Sequence, residues 1–174
     1  MLRDFNIIAT CSRGTENKMC SELRYLLNEL GAPSPLVGKT GISGLIVAKT
    51  LLDPFKAINK FRVLFRERPY EFRYTQRIIP IEKTVPTDLE EIILSAKELS
   101  SRIEEDESFR ITVEKRFTSI HSSDVIEGIA AEIQKKVDLE NPDKILLIEI
   151  IGELTGIALI KPNEILSVRK EKML

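Results

Sequence analysis

The chain has 174 residues, of which 43% are hydrophobic and 30% are charged, and its formal net charge at pH 7 is -1. This length suits one domain or two small ones with a buried core and an ordinary charged surface. No run of about 18 apolar residues is present, which excludes a membrane-spanning helix. The start, Met1-Leu2-Arg3-Asp4, lacks the apolar stretch of a signal peptide, so we expect a cytoplasmic protein.

The near-neutral total hides an uneven distribution of charge. Residues 1–70 carry 11 Lys and Arg against 6 Asp and Glu, whereas residues 88–108 carry 2 against 8. Residues 109–121 carry 3 Lys and Arg against 1 Glu. A local basic face matters more for phosphate binding than the total charge does. The pattern therefore favours selective binding of a phosphate-bearing partner over the behaviour of a strongly basic protein.

The first half of the chain alternates strand and helix patterns. In order, we predict a strand at residues 5–11, a helix that ends at Gly31, a hairpin within residues 36–48, a helix that begins at Asp53-Pro54 and a strand at residues 71–82. The order β-α-β-β-α-β is that of a ferredoxin-like unit. We place this unit at residues 1–83.

The second half predicts another small α/β domain at residues 84–172. A capping box, Thr87 to Glu90, begins a helix in which Thr87 is the N-cap. Alternating apolar residues from Phe109 then predict a strand that ends at Lys115-Arg116. Ser122-Ser123 opens a helix whose apolar face extends to Val137. Two apolar runs follow, and the fold class is α/β (α+β), with a ferredoxin-like subdomain packed on this second domain.

Patterns that would indicate an enzyme are weak. Gly38-Lys39-Thr40 matches the end of a phosphate-binding P-loop, but Pro33 stands where that loop needs a glycine. Cys11 and Cys20 form no cluster with metal-ligand spacing. His121 is the only histidine, and a general base, an RNA contact and a structural role remain open for it. We expect no catalytic residue, no metal and no cofactor.

The end of the Phe109 strand is the best candidate for a binding site. Lys115 and Arg116 close this strand, and Ser122 and Ser123 open the next helix. The N-terminus of a helix presents free N–H groups and a partial positive charge, and therefore binds phosphate readily. Two cationic side chains beside it would strengthen such a site. A solvated loop remains the alternative, since many α/β proteins carry Lys or Arg at a strand end.

Two sets of segments resemble a known family. The run Val137-Asp138-Leu139-Glu140-Asn141-Pro142, followed by Ile148-Glu149-Ile150-Ile151, resembles the signature of THUMP domains, which are RNA-binding modules of tRNA-modifying enzymes. Residues 7–17 and 26–31 are similar to the THUMP-domain adaptors of tRNA cytidine acetylation, in their archaeal and eukaryotic forms. Residues 166–170 fit the C-terminal strand and basic end of these adaptors. The glycine-rich ending of many enzyme-fused THUMP domains is absent, and only five residues follow Arg169.

The resemblance implies a non-catalytic adaptor, not an enzyme. The ferredoxin-like unit and the THUMP domain would hold the acceptor region of a tRNA and present the tRNA to a separate RNA cytidine acetyltransferase, which uses acetyl-CoA and ATP. The predicted RNA-binding residues are Arg13, Arg73, Arg77, Lys83, Lys115, Arg116, His121, Ser122, Ser123 and Arg169. We expect neither DNA nor a membrane as a partner. The alternatives are an RNA-binding subunit of a thiolation or methylation enzyme, a stand-alone RNA-modifying enzyme and a protein-interaction module without RNA.

Overall fold

A computed structural model describes residues 1–174 and divides them into two units. In chain order the elements are β1 (Ile7–Thr10), α1 (Glu16–Glu29), β2 (Leu36–Lys39), β3 (Leu45–Lys49), α2 (Pro54–Glu67), β4 (Arg77–Pro80), β5 (Lys83–Pro86), α3 (Leu89–Ser100), β6 (Ser108–Arg116), α4 (Ser122–Ala130), β7 (Lys136–Val137), β8 (Lys144–Ile151), β9 (Leu154–Ile160), β10 (Leu166–Ser167) and α5 (Val168–Glu171). The N-terminal unit contains residues 1–81 and 164–174, and the second unit contains residues 82–163. Each unit has its own five-stranded sheet and its own apolar core.

The N-terminal unit has the ferredoxin-like order that the sequence predicts. Its sheet runs β10-β4-β1-β3-β2, and every neighbouring pair is antiparallel. The apolar sides of α1 and α2 pack on this sheet, with Leu23, Leu26 and Phe61 fully buried. Because these side chains repeat at helical spacing, their burial follows from the sequence.

Local chemistry fixes two boundaries of the N-terminal unit. The Asp53 carboxylate caps α2 by accepting the backbone N–H groups of Phe55 at 3.0 Å and Lys56 at 3.1 Å, as predicted. Gly44, before β3, has a φ of +76°, and a Cβ there would lie 2.7 Å from the Cys11 carbonyl oxygen. Only glycine avoids that clash, so the sequence of this turn is constrained by its close contact with the residue that follows β1.

The predicted strand at residues 71–82 is largely replaced by other structure. Glu71 lies in a short 3₁₀ helix, Arg73 lies in a bend, and only Arg77–Pro80 forms strand β4. The cause is Glu22, a buried residue of α1 whose carboxylate accepts the backbone N–H groups of residues 73–75. Since these N–H groups are bound to a side chain, they cannot pair with a neighbouring strand.

The end of the chain packs in the N-terminal unit, whereas the sequence placed residues up to 172 in the second domain. Leu166 pairs with Ile78 in the sheet, and both side chains are fully buried. Val168 is buried in the same core. The apolar side chains of Leu166 and Val168 thus complete the first core and add a fifth strand to its sheet.

The second unit is a sheet of order β5-β9-β8-β6-β7 with α3 and α4 packed on it. Strands β6 and β8 are parallel, and β8 and β9 form an antiparallel hairpin. The N-cap of α3 is Asp88, whose carboxylate accepts two backbone N–H groups, and not Thr87 as predicted. Helix α4 ends at Ala130 instead of near Val137, because Val137 pairs with Phe109 as part of β7. No helix of the structure combines the length and the apolar character needed to cross a membrane.

Candidate nucleic-acid interface

The predicted RNA-binding residues are distributed over both units. Arg13, Arg73, Arg77 and Arg169 belong to the N-terminal unit, whereas Lys83, Lys115, Arg116, His121, Ser122 and Ser123 belong to the second unit. Each unit therefore carries one candidate surface. That of the second unit is the strand-tip surface, formed by Lys115, Phe117, His121, Ser122 and Ser123, and that of the N-terminal unit is a cavity, the N-terminal pocket.

Lys115 lies beside the start of α4, as the sequence predicts. Its Nζ donates a hydrogen bond to the Ile120 carbonyl oxygen at 3.2 Å, one residue before the N-cap His121. The side chain is exposed and forms no ion pair with a carboxylate. A compact ammonium group is thereby held next to the positive end of the helix dipole.

No side chain caps the N-terminus of α4. His121 is the N-cap residue with an extended backbone, and its exposed imidazole makes no capping hydrogen bond. Its carbonyl oxygen accepts the backbone N–H groups of Asp124 and Val125. Ser122 and Ser123 occupy the first two helical positions, where backbone N–H groups have no partner within the helix. The helix end can therefore accept hydrogen-bonding oxygens from outside, although Asp124 places an acidic group in the same turn.

Arg116 and Lys83 each form an ion pair. The Arg116 guanidinium lies 2.7 Å from Oε2 of Glu149, a residue of β8 whose side chain is fully buried. Lys83 pairs with Glu98 of α3. Phosphate contact by Arg116 stays a prediction, and it requires one guanidinium to serve both the phosphate and a buried carboxylate. Arg116 in any case has a structural role that the sequence pattern did not reveal.

Phe117 is a member of the strand-tip surface that the sequence analysis missed. Its ring is 79% exposed, and its φ of +54° is in the left-handed region that bulky residues rarely occupy. It directly follows β6 and is two residues from Lys115. Aromatic rings at such positions can stack on unpaired RNA bases. A single Phe after an apolar strand gives no sequence signal for this, because it looks like one more core residue.

The N-terminal pocket is a cavity of about 770 Å³. Its lining residues are Ser12, Thr15, Phe72, Arg73, Tyr74, Thr75, Gln76, Arg77, Ser167, Val168, Arg169, Lys172 and Met173. One wall is the segment 72–77 and the other is the C-terminal segment 167–173. The Val168 N–H donates to the Gln76 carbonyl oxygen at 2.9 Å and joins the two walls. At one end, Gln76 Nε2 donates to Ser12 Oγ at 3.0 Å.

Four cations line the N-terminal pocket, and no carboxylate does. The sequence predicted Arg73, Arg77 and Arg169 as separate binding residues, and the fold brings them together with Lys172, which was missed. None of the four forms an ion pair, whereas Arg62 and Arg68 of the same unit pair with glutamates at 2.8 Å. The positive charge around this pocket is therefore available to a ligand.

Arg13 lies outside this lining, in the exposed turn between β1 and α1. The Glu16 carboxylate holds the turn by accepting N–H groups from Gly44 at 2.8 Å and Gly14 at 3.2 Å. These backbone donors, with Gly44 first, lower the pKa of Glu16 below its ordinary value. Arg13 thus projects from an ordered turn next to Ser12, which does line the pocket.

Comparison with known proteins identifies the class of the second unit. Residues 86–159 match the family model of the THUMP domain, so the chain contains a THUMP domain. An uncharacterised protein of Methanocaldococcus jannaschii, MJ0421, is 22% identical over 170 residues, which cover 95% of this chain and 43% of that protein. The chain thus spans less than half the length of this curated relative.

Solved structures show the same fold across most of the chain. PH1313 from Pyrococcus horikoshii has a TM-score of 0.69 and 22% identity, covering 91% of this chain and 55% of that one. TrmN from Thermus thermophilus has a TM-score of 0.58 and 14% identity, covering 90% and 45%. A 4-thiouridine synthetase in complex with RNA and ATP has a TM-score of 0.57 and 16% identity, covering 94% and 42%. The fold of this chain is thus found as part of larger proteins.

Proposed function

We propose that this chain is a non-catalytic tRNA-binding adaptor that presents tRNA to a separate RNA cytidine acetyltransferase. The THUMP domain at residues 86–159 supports the binding of RNA. The similar fold of a 4-thiouridine synthetase, solved in complex with RNA, supports a role in tRNA modification. The adaptor role is supported by the resemblance of residues 7–17 and 26–31 to the adaptors of cytidine acetylation.

The observation that carries the RNA-binding role is the position of Lys115 in the THUMP domain. Its ammonium group is held beside the uncapped start of α4. A cation and free N–H groups at one place can bind the oxygens of a single phosphate from two directions. His121 and Phe117 flank this place with exposed rings that can contact a ribose or a base.

A second candidate function is the RNA-binding part of a thiolation or methylation enzyme. It is favoured by the comparisons, since this chain corresponds to 42% of the 4-thiouridine synthetase and 45% of TrmN. In that case the tRNA would be bound by the same surfaces, and the chemistry would be different. Measuring RNA binding alone therefore cannot distinguish the two candidate functions. They are distinguished by which tRNA modification requires this chain.

RNA binding is tested by measuring tRNA affinity across salt concentrations. Lys115→Ala is expected to weaken binding and to lower the salt slope by about 1, because one phosphate contact is lost. The matched control is Lys97→Ala, which removes an exposed lysine that pairs with Glu132 in the same unit. Equal effects of the two substitutions would contradict the strand-tip surface. We leave Arg116 in place, because its removal would also disturb a buried ion pair.

The adaptor role is tested by reconstitution with an RNA cytidine acetyltransferase, tRNA, acetyl-CoA and ATP. Acetylcytidine is expected only when the chain and the acetyltransferase are both present, and mass spectrometry of digested tRNA measures it. Acetylcytidine formed by the chain alone would contradict the non-catalytic role. Acetylation that proceeds equally well without the chain would favour the thiolation or methylation candidate instead.

A further inference from the structure

We propose that the N-terminal pocket is a binding site for a single nucleotide. The phosphate would lie among the guanidinium groups of Arg73, Arg77 and Arg169. The base would lie against the apolar wall of the pocket, which is formed by Phe72, Tyr74 and Val168. The nucleotide is either an unpaired residue of an RNA strand or a free nucleotide. The inference rests on the proposed function only for the first of these sources.

The size and lining of the pocket suit this ligand class. A cavity of about 770 Å³ is within the range of small-molecule sites, which are lined mainly by apolar groups with a few polar ones. Phe72 and Val168 are buried residues of the first core, and both also line the pocket. Tyr74 is half-buried, packs on the same core and lines the pocket, and the Lys18 ammonium lies over its ring at 5.6 Å from the ring centre. A base can stack on such a ring whatever its identity.

The charges around the pocket select an anion. Arg77 lies directly opposite Ser167 in the β4–β10 pairing, and Arg169 follows two residues later. Strand pairing and the short C-terminal segment thus bring guanidinium groups from two separate parts of the chain to one cavity. Guanidinium groups bind phosphate through paired N–H donors, and no acid of the lining competes for them.

The buried Glu22 makes the wall of the pocket rigid without neutralising it. Its carboxylate accepts N–H groups of Arg73 and Thr75, each at 2.8 Å, and the Thr75 hydroxyl at 2.6 Å. A further N–H comes from Tyr74. These bonds hold the segment that carries Arg73 and Tyr74, so little order has to be gained when a ligand binds. The carboxylate accepts these bonds from the backbone and Thr75, which leaves the guanidinium groups unpaired.

The site is tested first on the wild-type protein by titration with AMP, adenosine and inorganic phosphate. AMP is expected to shift the amide NMR signals of Tyr74, Gln76 and Arg169, with an affinity roughly tenfold or more above those of adenosine and phosphate. The reason is that only AMP uses both the apolar wall and the cations. Absence of shifts at these amides, with both AMP and a short single-stranded oligoribonucleotide, would overturn the proposal.

The charged groups are tested with the double variant Arg77→Gln and Arg169→Gln. It is expected to lower the affinity for AMP roughly tenfold or more, since each guanidinium lost removes charge-assisted hydrogen bonds. The matched control, Lys56→Gln with Arg66→Gln, removes the same charge from the exposed face of α2. Equal affinities of the two double variants would refute the site. If thermal unfolding shows that the pocket variant does not fold, the amide shifts of the wild type decide.

Competition between AMP and the oligoribonucleotide distinguishes the two sources of the nucleotide. Displacement of AMP by the oligoribonucleotide identifies an RNA residue as the ligand, and failure to displace it identifies a free nucleotide. Loss of tRNA binding in Lys115→Ala, combined with normal tRNA binding by the pocket variant and no binding of AMP or the oligoribonucleotide at the pocket of the wild type, would refute the pocket alone. Loss of AMP binding in the pocket variant, with no tRNA binding by the wild type, would instead refute the proposed function.

Discussion

The two units of this protein carry opposite charge. The N-terminal unit contains 16 Lys and Arg against 9 Asp and Glu, a net charge of +7, whereas the second unit contains 10 against 18, a net charge of -8. The near-neutral total is thus the sum of a basic and an acidic unit. Since long-range attraction of RNA depends on local charge, we expect the N-terminal unit to attract phosphate more strongly than the second unit, although the second unit contains the THUMP domain.

The units also differ in what their cations contact. In the second unit most cations have a carboxylate partner, as in the pairs Lys83–Glu98, Lys97–Glu132, Arg102–Glu82, Arg116–Glu149, Lys135–Glu105 and Lys144–Glu107. The four cations of the N-terminal pocket have none. The candidate site of the THUMP domain is therefore a local one at Lys115, whereas that of the N-terminal unit is a group of cations without ion pairs. This contrast can be tested residue by residue.

The largest expected effect concerns Arg116, whose charge is used inside the second unit. Arg116→Met should lower the free energy of unfolding by about 3–5 kcal/mol, because it removes the cationic partner from an ion pair with a buried carboxylate. Adding Glu149→Leu should restore most of that stability, since an apolar pair replaces the ion pair. Urea unfolding of the two variants measures both effects. An unchanged stability of Arg116→Met would show that the ion pair with Glu149 does not stabilise the second unit.

The second effect concerns Glu22, which holds the wall of the N-terminal pocket. Glu22→Gln should lower the free energy of unfolding by about 1–3 kcal/mol, because an amide N–H₂ group now faces backbone N–H donors. Thr75→Val removes one hydrogen bond to the same carboxylate and is the smaller, matched change. Urea unfolding again measures both variants. Equal stabilities of Glu22→Gln and the wild type would mean that the bend at residues 73–75 does not depend on this carboxylate.

These two side chains also show why part of the fold could not be predicted from the sequence. Helical and strand periodicity predicted the ferredoxin-like order, and Asp53-Pro54 predicted the start of α2. The bend at residues 73–75 depends on Glu22, which lies 51 residues before Arg73, and no local pattern reveals that contact. The ion pair between Arg116 and Glu149 likewise depends on the register of β6 and β8.

The sequence proposed individual candidate residues, but it did not show how the fold groups them. Lys115 and the start of α4 were predicted as neighbours because they are close in the chain, and the structure confirms this proximity. Arg73, Arg77 and Arg169 were predicted one by one. Their meeting in one pocket requires β10 to join the first sheet, a pairing that depends on the burial of Leu166 against the first core.

Phe117 gives a third test, in which tRNA binding should weaken although the stability of the protein does not fall. Phe117→Asn should leave the protein as stable or make it more stable, because Asn tolerates a φ of +54° better than Phe does. The same substitution should weaken tRNA binding by about 1–3 kcal/mol, since a stacking surface is lost. Thermal unfolding and tRNA affinity are measured on the same preparation. Unchanged affinity would exclude Phe117 from the strand-tip surface.

The smallest expected effect is a pH dependence specific to each unit. Backbone N–H donors, with that of Gly44 first, lower the pKa of Glu16 in the N-terminal unit. The backbone N–H of Glu104 and then Lys144 lower the pKa of Glu107 in the second unit. A carboxyl group with a lowered folded-state pKa adds stability above its ordinary pKa, and that contribution is lost as the pH falls through the folded-state value.

Replacing Glu16 or Glu107 by glutamine should therefore make the stability of one unit, but not of the other, less dependent on acid pH. Amide hydrogen exchange of β1 and β8 reports the stability of the N-terminal and second units separately. Glu16→Gln should reduce protection of β1 at neutral pH, with the difference from wild type disappearing in acid, and Glu107→Gln should do the same for β8. If either substitution changed both strands equally, the units would unfold together. The acid sensitivity would then be a property of the whole chain and not of either unit alone.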